Sequence, residues 1–142
     1  MRGSIKILAV ALREVALACS DSSHECCGLL AGRSGVISKA FKAANAAINP
    51  ATSYEIALPE LFQLMREIRA PGLEMLGIYH SHPNGKNEPS PRDIAWAYYP
   101  DMAYFIISPL PEAPRPVRAF SIRDGGVTEL EIQIVASEGD NH

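Results

Sequence analysis

The chain has 142 residues, 47% of them hydrophobic and 20% charged, and its formal net charge is −3 at pH 7. This composition excludes a disordered chain and is typical of a globular protein that buries its own core. The sequence has no basic stripe, which argues against a nucleic-acid partner, and no apolar run long enough to span a membrane. We therefore expect residues 1–142 to form one domain.

The first third of the sequence predicts a strand, a helix and a hairpin. Residues 4–7 fit a short strand, and residues 8–20 are apolar almost all round, which predicts a largely buried helix. Two adjacent charged residues interrupt that stretch early, so we interpret it as an internal helix and not as a secretion signal. The apolar run 26–31 and residues 35–40 flank a glycine-containing turn and predict a β-hairpin.

The remainder of the sequence predicts strands joined by two helices. Residues 59–69 fit an amphipathic helix, and residues 90–98 fit a second helix. The predicted strands are residues 53–57, 73–79, 103–108, 117–122 and 127–134, the last two forming a hairpin. Because strands outnumber helices and helices connect strands, we predict an α/β fold with a mixed β-sheet flanked by helices.

The three cysteines, Cys19, Cys26 and Cys27, form no CxxC pair, and two of them are adjacent. Adjacent cysteines rarely bridge to each other, and the odd number leaves at least one thiol unpaired. We therefore predict reduced, buried thiols, which fits a cytoplasmic protein.

The pattern His80-Ser81-His82 follows directly on a predicted buried strand. Residues i and i+2 of a strand project from the same face, so the two imidazoles can converge on one ion. With the carboxylate of Asp93, they form a ligand set that suits zinc and leaves a fourth position for water. The metallo-β-lactamase site also begins with two histidines in this spacing, but an Asp and a His follow there, whereas Pro83-Asn84-Gly85 follows here.

Ser90 and Asp93 allow two interpretations. They match a capping box with Ser90 at the N-cap, Pro91 at the first helical position and the acid three residues after the cap. In that interpretation both side chains only satisfy backbone donors. The interpretations are compatible, because a helix N-terminus is also a rigid mount from which Asp93 can reach a metal.

Glu25 precedes the apolar run of the first predicted hairpin. A glutamate at this place can simply be a solvated residue at the start of a strand. A zinc hydrolase, however, needs a general base for its water, and the metal ligands themselves cannot serve as that base. A second carboxylate from elsewhere in the chain would meet this need.

Taken together, Glu25, His80-Ser81-His82, Ser90 and Asp93 resemble the JAMM (MPN+) metallopeptidase signature at every motif position. The flanking segments are similar as well, and the resemblance extends over about residues 5–134. It implies a compact prokaryotic member with the JAMM/MPN fold, which is similar to that of cytidine deaminases.

The resemblance also implies the role of each residue. His80, His82 and Asp93 would bind Zn²⁺, with water in the fourth position. Glu25 would take a proton from that water and deliver it to the leaving amine. Ser90 would donate a hydrogen bond to the oxyanion of the tetrahedral intermediate.

The short chain lacks the insertions that ubiquitin-removing JAMM enzymes carry, so it resembles members acting on small ubiquitin-fold sulfur carriers of the ThiS/MoaD type. We expect hydrolysis of a peptide or isopeptide bond at the C-terminal Gly-Gly of such a carrier. The tail would bind as an added strand, with residues 53–57 as the candidate edge. Two alternatives are a peptidase acting on cell-wall or phage-related peptides and a scaffold that retains metal without turnover.

Overall fold

The computed structural model describes residues 3–20 and 23–136. Seven strands and three helices follow one another in these residues. They are β1 (Ser4–Leu8), α1 (Ala9–Ala18), β2 (Cys27–Arg33), β3 (Val36–Ala43), α2 (Leu58–Arg69), β4 (Glu74–Ser81), α3 (Pro91–Ala95), β5 (Ala103–Ile107), β6 (Val117–Arg123) and β7 (Gly126–Val135).

All seven strands belong to one mixed sheet in the order β1-β3-β2-β4-β5-β6-β7, and the sheet closes on itself into a barrel. Strand β1 makes the closure, because it pairs in parallel with both β3 and β7. Strands β4 and β5 are also parallel, and the other neighbours are antiparallel. The prediction of a mixed sheet with helices is confirmed, whereas the closure was not predicted.

The sheet buries side chains on both of its faces, so neighbouring residues of a strand enter different clusters. In β2, Leu30 packs with α1 on one face, whereas Leu29 packs with α2 on the other. Strand β5 alternates in the same way, with Phe105 on the α1 side and Tyr104 on the α2 side. Strands covered on both faces read as continuous apolar runs, which is the pattern seen in the sequence of β2 and β5.

Two tight hairpins have the backbone geometry that their sequences predict. Ser34 and Gly35 join β2 to β3 with φ values of 54° and 76°. Asp124 and Gly125 join β6 to β7 with φ values of 49° and 81°. Positive φ at both central residues matches the right-handed twist of the flanking strands, and glycine and aspartate tolerate it.

Three sequence-based expectations about secondary structure are wrong. Helix α1 is not largely buried, because it packs on the sheet by one face only: Ala11 and Val15 are buried, whereas Leu17 is 69% exposed. Residues 53–57 are extended but pair with no strand. The helix predicted from residue 90 ends early, since α3 covers only Pro91–Ala95.

The expectation of three reduced thiols is also wrong. Cys19 caps the C-terminus of α1 and forms a disulfide with Cys26, their Cα atoms lying 5.4 Å apart. The bridge forms because the end of α1 meets the chain just before β2, at a separation within the normal range for disulfides. Only Cys27 is a buried free thiol, as predicted. Within the described residues, no helix has the length and apolarity needed to cross a membrane.

Candidate metal centre

His80 is the second-last residue of β4, which lies between β2 and β5 in the sheet, and His82 directly follows the strand. Their Nε2 atoms are 3.2 Å apart, so both rings face the same point, as the i and i+2 spacing predicts. Ser81 points away from them: its Oγ accepts a hydrogen bond from the backbone N–H of Cys26 at 2.9 Å. This bond ties the strand end that carries the histidines to the chain segment that enters β2.

Asp93 reaches the same point from α3. One carboxylate oxygen, Oδ1, is 3.2 Å from Nε2 of His80, and Oδ2 is 3.0 Å from Nε2 of His82. The capping box is also formed: Ser90 Oγ accepts from the N–H of Asp93, and Asp93 Oδ2 accepts from the N–H of Ser90. The capping interpretation is therefore confirmed, and it coexists with the approach of Asp93 to the histidines.

The three groups have the spacing of ligands around one small cation. Their mutual distances of 3.0–3.2 Å compare with the edge of a zinc tetrahedron, which is about 3.3 Å for metal–ligand bonds of about 2.0–2.1 Å. The Nδ1–H of His82 donates to the carbonyl of Lys86, and this tautomer leaves the Nε2 lone pair directed at the centre. The residues present therefore fit a divalent metal ion.

The protonation states of His80 and Asp93 suit metal binding. Burial lowers the pKa of His80, which favours the neutral imidazole that a metal needs. Burial alone would raise the pKa of Asp93, but the adjacent imidazoles of His80 and His82 and the hydrogen bond from the Ser90 N–H hold it well below its usual range. Burial alone would lower the pKa of His82, but its contacts with Asp93 and with the Lys86 carbonyl raise it, so a metal ion would have to displace a proton there.

Glu25 lies beside these groups and is buried, so the interpretation as a solvated residue at a strand start is wrong. Ligand atoms of Glu25, His80 and His82 all lie within 4.8 Å of one another. The Oε1 atom of Glu25 is buried and has no hydrogen-bond partner among the described residues. Burial raises its pKa to about 7, with Asp93 adding to the shift and His82 opposing it. A carboxyl with such a pKa can take and release a proton near neutral pH.

Sequence reasoning did not identify Asn45, whose side chain organises the backbone around Glu25. Its Nδ2 donates to the carbonyls of Glu25 at 3.0 Å and Ser53 at 2.9 Å, and its Oδ1 accepts from the N–H of Glu55 at 3.1 Å. Asn45 thus joins the approach to β2 with the extended segment 53–57. No local sequence signal marks this role, because these three partners are 8, 10 and 20 positions away in the chain.

Tyr54 was also missed as a site residue. Its ring stacks on that of His80, with 4.4 Å between the ring centroids and 20° between the planes. The sequence placed Tyr54 in a predicted strand, and a tyrosine in a strand is ordinarily a packing residue. Only the fold brings this ring onto a histidine that lies 26 positions away.

Two cavities meet at this centre, and Thr52 lines both. The smaller has a volume of about 190 Å³, and its lining includes the polar side chains of Glu25, His82, Asn84 and Ser90. The larger, which we name the aromatic groove, has a volume of about 250 Å³. Its lining includes Asp93, Tyr54, Tyr99, Tyr104, Trp96 and Tyr98.

Two of the aromatic residues that follow Asp93 are exposed. Trp96 is 52% exposed and Tyr98 is 69% exposed. Both lie on the wall of the aromatic groove. The guanidinium of Arg92 stacks over Trp96 at 4.7 Å from the ring centroid, which fixes the indole at the edge of the groove.

Comparison with family models identifies the chain. A model described as prokaryotic homologs of the JAB domain matches residues 8–123, which is most of the sequence. The chain belongs to this prokaryotic JAB family. The match spans Glu25, both histidines, Ser90 and Asp93, and the family resemblance inferred from the motif is confirmed.

Two relatives of this JAB protein have names that describe an activity. The chain is 32% identical over 123 residues to a CysO-cysteine peptidase of Mycobacterium tuberculosis, covering 85% of this chain and 84% of the relative. It is 38% identical over 112 residues to a probable TtuB-protein conjugate cleaving protease of Thermus thermophilus, covering 79% and 71%. The relatives are peptidases, and the prediction of a JAMM-type hydrolase is confirmed.

Solved structures agree with the JAB fold. Protein DSY2949 from Desulfitobacterium hafniense superposes with a TM-score of 0.83 at 29% identity, covering 97% of this chain and 98% of that one. The JAB1/MPN domain protein AF2198 from Archaeoglobus fulgidus gives a TM-score of 0.62 at 20% identity, covering 93% and 98%. The second likeness is one of fold alone.

Proposed function

We propose that this JAB protein is a zinc metallopeptidase that hydrolyses a peptide or isopeptide bond at the C-terminal Gly-Gly of a small ubiquitin-fold sulfur carrier. The observation that carries the proposal is the convergence of His80, His82 and Asp93 within 3.2 Å of one another, beside the buried carboxyl of Glu25. In this proposal the three converging groups hold Zn²⁺.

The residues around the metal supply the proton transfers. A bound zinc ion lowers the pKa of a coordinated water to near neutrality. Glu25 accepts the proton of the attacking water and hands it to the leaving amine, for which a pKa of about 7 is well suited. The Oγ of Ser90 accepts from the N–H of Asp93, so its own hydroxyl hydrogen remains available for the oxyanion.

The two cavities would receive the two sides of the scissile bond. Glu25 lines the smaller cavity, so the amine that receives its proton would leave through that cavity. The carrier tail would then lie in the aromatic groove, which Asp93 lines. With a volume of about 190 Å³, the smaller cavity suits a leaving group of the size of an amino acid or a lysine side chain.

The extended segment 53–57 offers a backbone edge to the tail. Glu55 is bonded on one side, because its carbonyl accepts from the N–H of Ala46 at 2.8 Å and its N–H donates to Asn45. Within the described residues, the backbone groups of Tyr54 and Ile56 make no hydrogen bond. They face the other side of the segment, so an added strand can pair with them.

The named activities of the relatives support this substrate class. One relative is named a CysO-cysteine peptidase and the other a probable TtuB-protein conjugate cleaving protease, so both names describe a peptidase or protease. The intact, buried Glu25 argues against a scaffold that holds metal without turnover. A peptidase of cell-wall or phage-related peptides remains the second enzyme hypothesis, and the cytoplasmic location remains a prediction.

The deciding experiment is a mass-spectrometric cleavage assay with the zinc-loaded protein and a sulfur-carrier protein extended beyond its Gly-Gly. We expect the wild type to cleave after Gly-Gly, and Glu25→Gln to bind zinc at one equivalent without cleaving. Glu74→Gln, which removes an exposed carboxyl on β4 away from the site, is the matched control and should cleave normally.

Two outcomes would overturn parts of the proposal. Zinc bound at one equivalent without cleavage by the wild type would contradict the substrate class. Cleavage by Glu25→Gln at the wild-type rate would contradict the role of Glu25.

A further inference from the structure

The two histidines of the proposed metal centre are held in place by different means. The Nδ1–H of His82 donates to the carbonyl of Lys86, which fixes the orientation of that ring. The Nδ1 atom of His80 is buried, and no protein group among the described residues lies within hydrogen-bond distance of it. Metal-binding histidines almost always donate their second N–H to an acceptor that orients the ring. In the part of the chain that the structure describes, His80 has no such acceptor.

Tyr54 contacts His80 in a different way, through the face of the imidazole ring. Its ring lies nearly parallel to the His80 ring, with centroids 4.4 Å apart and planes inclined by 20°. This separation is that of a stacked aromatic pair. A ring packed flat against the imidazole prevents the imidazole from turning about its Cβ–Cγ bond. In most metal-binding histidines, a hydrogen bond to the second ring nitrogen has this effect.

The backbone of the two residues that flank Tyr54 is held by hydrogen bonds to one side chain. Asn45 accepts from the N–H of Glu55 and donates to the carbonyl of Ser53, so the two neighbours of Tyr54 are bonded to one side chain. The same Asn45 amide donates to the carbonyl of Glu25. The stacking ring therefore sits on a segment whose position is linked to that of the general base.

We propose that Tyr54 is a positioning residue that orients His80 by stacking, in place of the missing hydrogen bond, and thereby sets the metal affinity of the site. The inference rests on the proposed metal centre and adds to it a residue outside the JAMM signature. Because the contact is made by the ring face, the aromatic ring is required and the hydroxyl is not.

The test compares Tyr54→Phe, which keeps the ring, with Tyr54→Met, which keeps much of the volume but removes it. Zinc affinity is measured by competition with a chromophoric chelator, and the coordination geometry by the absorption spectrum of the cobalt-substituted protein. We expect zinc affinity within about threefold of the wild type for Tyr54→Phe and a loss of about 10–100-fold for Tyr54→Met. The cobalt spectrum should change only in Tyr54→Met.

Tyr98→Met is the matched control, because Tyr98 lines the same groove and is not stacked on a histidine. Its zinc affinity should equal that of the wild type. If Tyr54→Met does not fold, as judged by circular dichroism, Tyr54→Leu and Tyr54→Ile are measured in its place. A ring-free variant that folds and binds zinc like the wild type would refute the inference. A wild type that binds no zinc would instead refute the metal centre.

Discussion

At the scale of single residues, the burial of the Glu25 carboxyl lowers the stability of the folded protein. Glu25 is buried, and within residues 3–20 and 23–136 its Oε1 has no hydrogen-bond partner; burial raises its pKa to about 7. Burying a carboxylate without a partner destabilises the folded state. The proposed function explains this loss of stability. An oxygen that is to accept a proton from water has to be free of other hydrogen bonds, because a fully bonded carboxylate would be a poor base.

Removing the Glu25 charge should therefore stabilise the metal-free protein. The pKa of Glu25 rises from 4.5 in the unfolded chain to about 7 in the folded one. The loss of folding free energy caused by burying its charge is therefore absent below pH 4.5 and complete above pH 7. We expect metal-free Glu25→Gln to exceed the wild type in free energy of unfolding by about 3 kcal/mol at pH 8, and by nearly nothing at pH 4. Urea denaturation at both pH values measures this difference.

Glu74→Gln serves as the control for this prediction, because Glu74 is exposed at the start of β4. It should change the unfolding free energy little at either pH. A Glu25→Gln variant with the same advantage at pH 4 and pH 8 would show that the stabilisation does not come from the charge.

At the scale of the elements, short pieces of structure are held by contacts beyond their own length. Helix α3 has five residues, which is too short to be stable by itself. Its capping box and the approach of Asp93 to the histidines fix its N-terminus. In the same way, the chain before β2 is held by the Cys19–Cys26 disulfide and by the bond between Cys26 and Ser81.

The disulfide should contribute measurably to stability. It closes a loop with a sequence separation of seven residues, and a loop of this size is expected to stabilise by about 2 kcal/mol. We expect Cys19→Ser to lose this amount in denaturation under non-reducing conditions. Dithiothreitol should destabilise the wild type by the same amount and leave Cys19→Ser unchanged; a further loss in the variant would contradict the assignment.

At the scale of the whole molecule, the sheet brings together groups that are far apart in the chain. The register pairs Cys27 with His80 across β2 and β4, which places Glu25 level with His82. Asp93 arrives from the connection between the parallel strands β4 and β5. Since these contacts exist only in the folded chain, a metal bound there stabilises the fold as a whole.

Zinc should therefore raise the unfolding temperature of the entire protein. At a free zinc concentration of 100 times Kd, the expected stabilisation is about 2.7 kcal/mol. Calorimetry should show one transition that moves upward with zinc and returns on addition of a chelator. His82→Ala should abolish this response, and a zinc-dependent shift that persists in His82→Ala would indicate binding elsewhere.

The sequence alone determined the features that depend on local spacing. The i and i+2 histidines, the capping box of α3, helix α2 and the two hairpins follow from periodicity, cap residues and turn residues within a few positions of one another. The family resemblance could also be inferred from the sequence, because the motif combines residues at fixed separations, and the α/β fold could be inferred from the order of the predicted strands and helices.

Only the tertiary structure decided the features that depend on strand register and packing. It closed the sheet through β1, exposed one face of α1, left residues 53–57 unpaired, joined Cys19 to Cys26 and stacked Tyr54 on His80. Each of these features joins segments with no fixed spacing in the sequence. The chain determines them only through the sum of many long-range contacts, which no local pattern records.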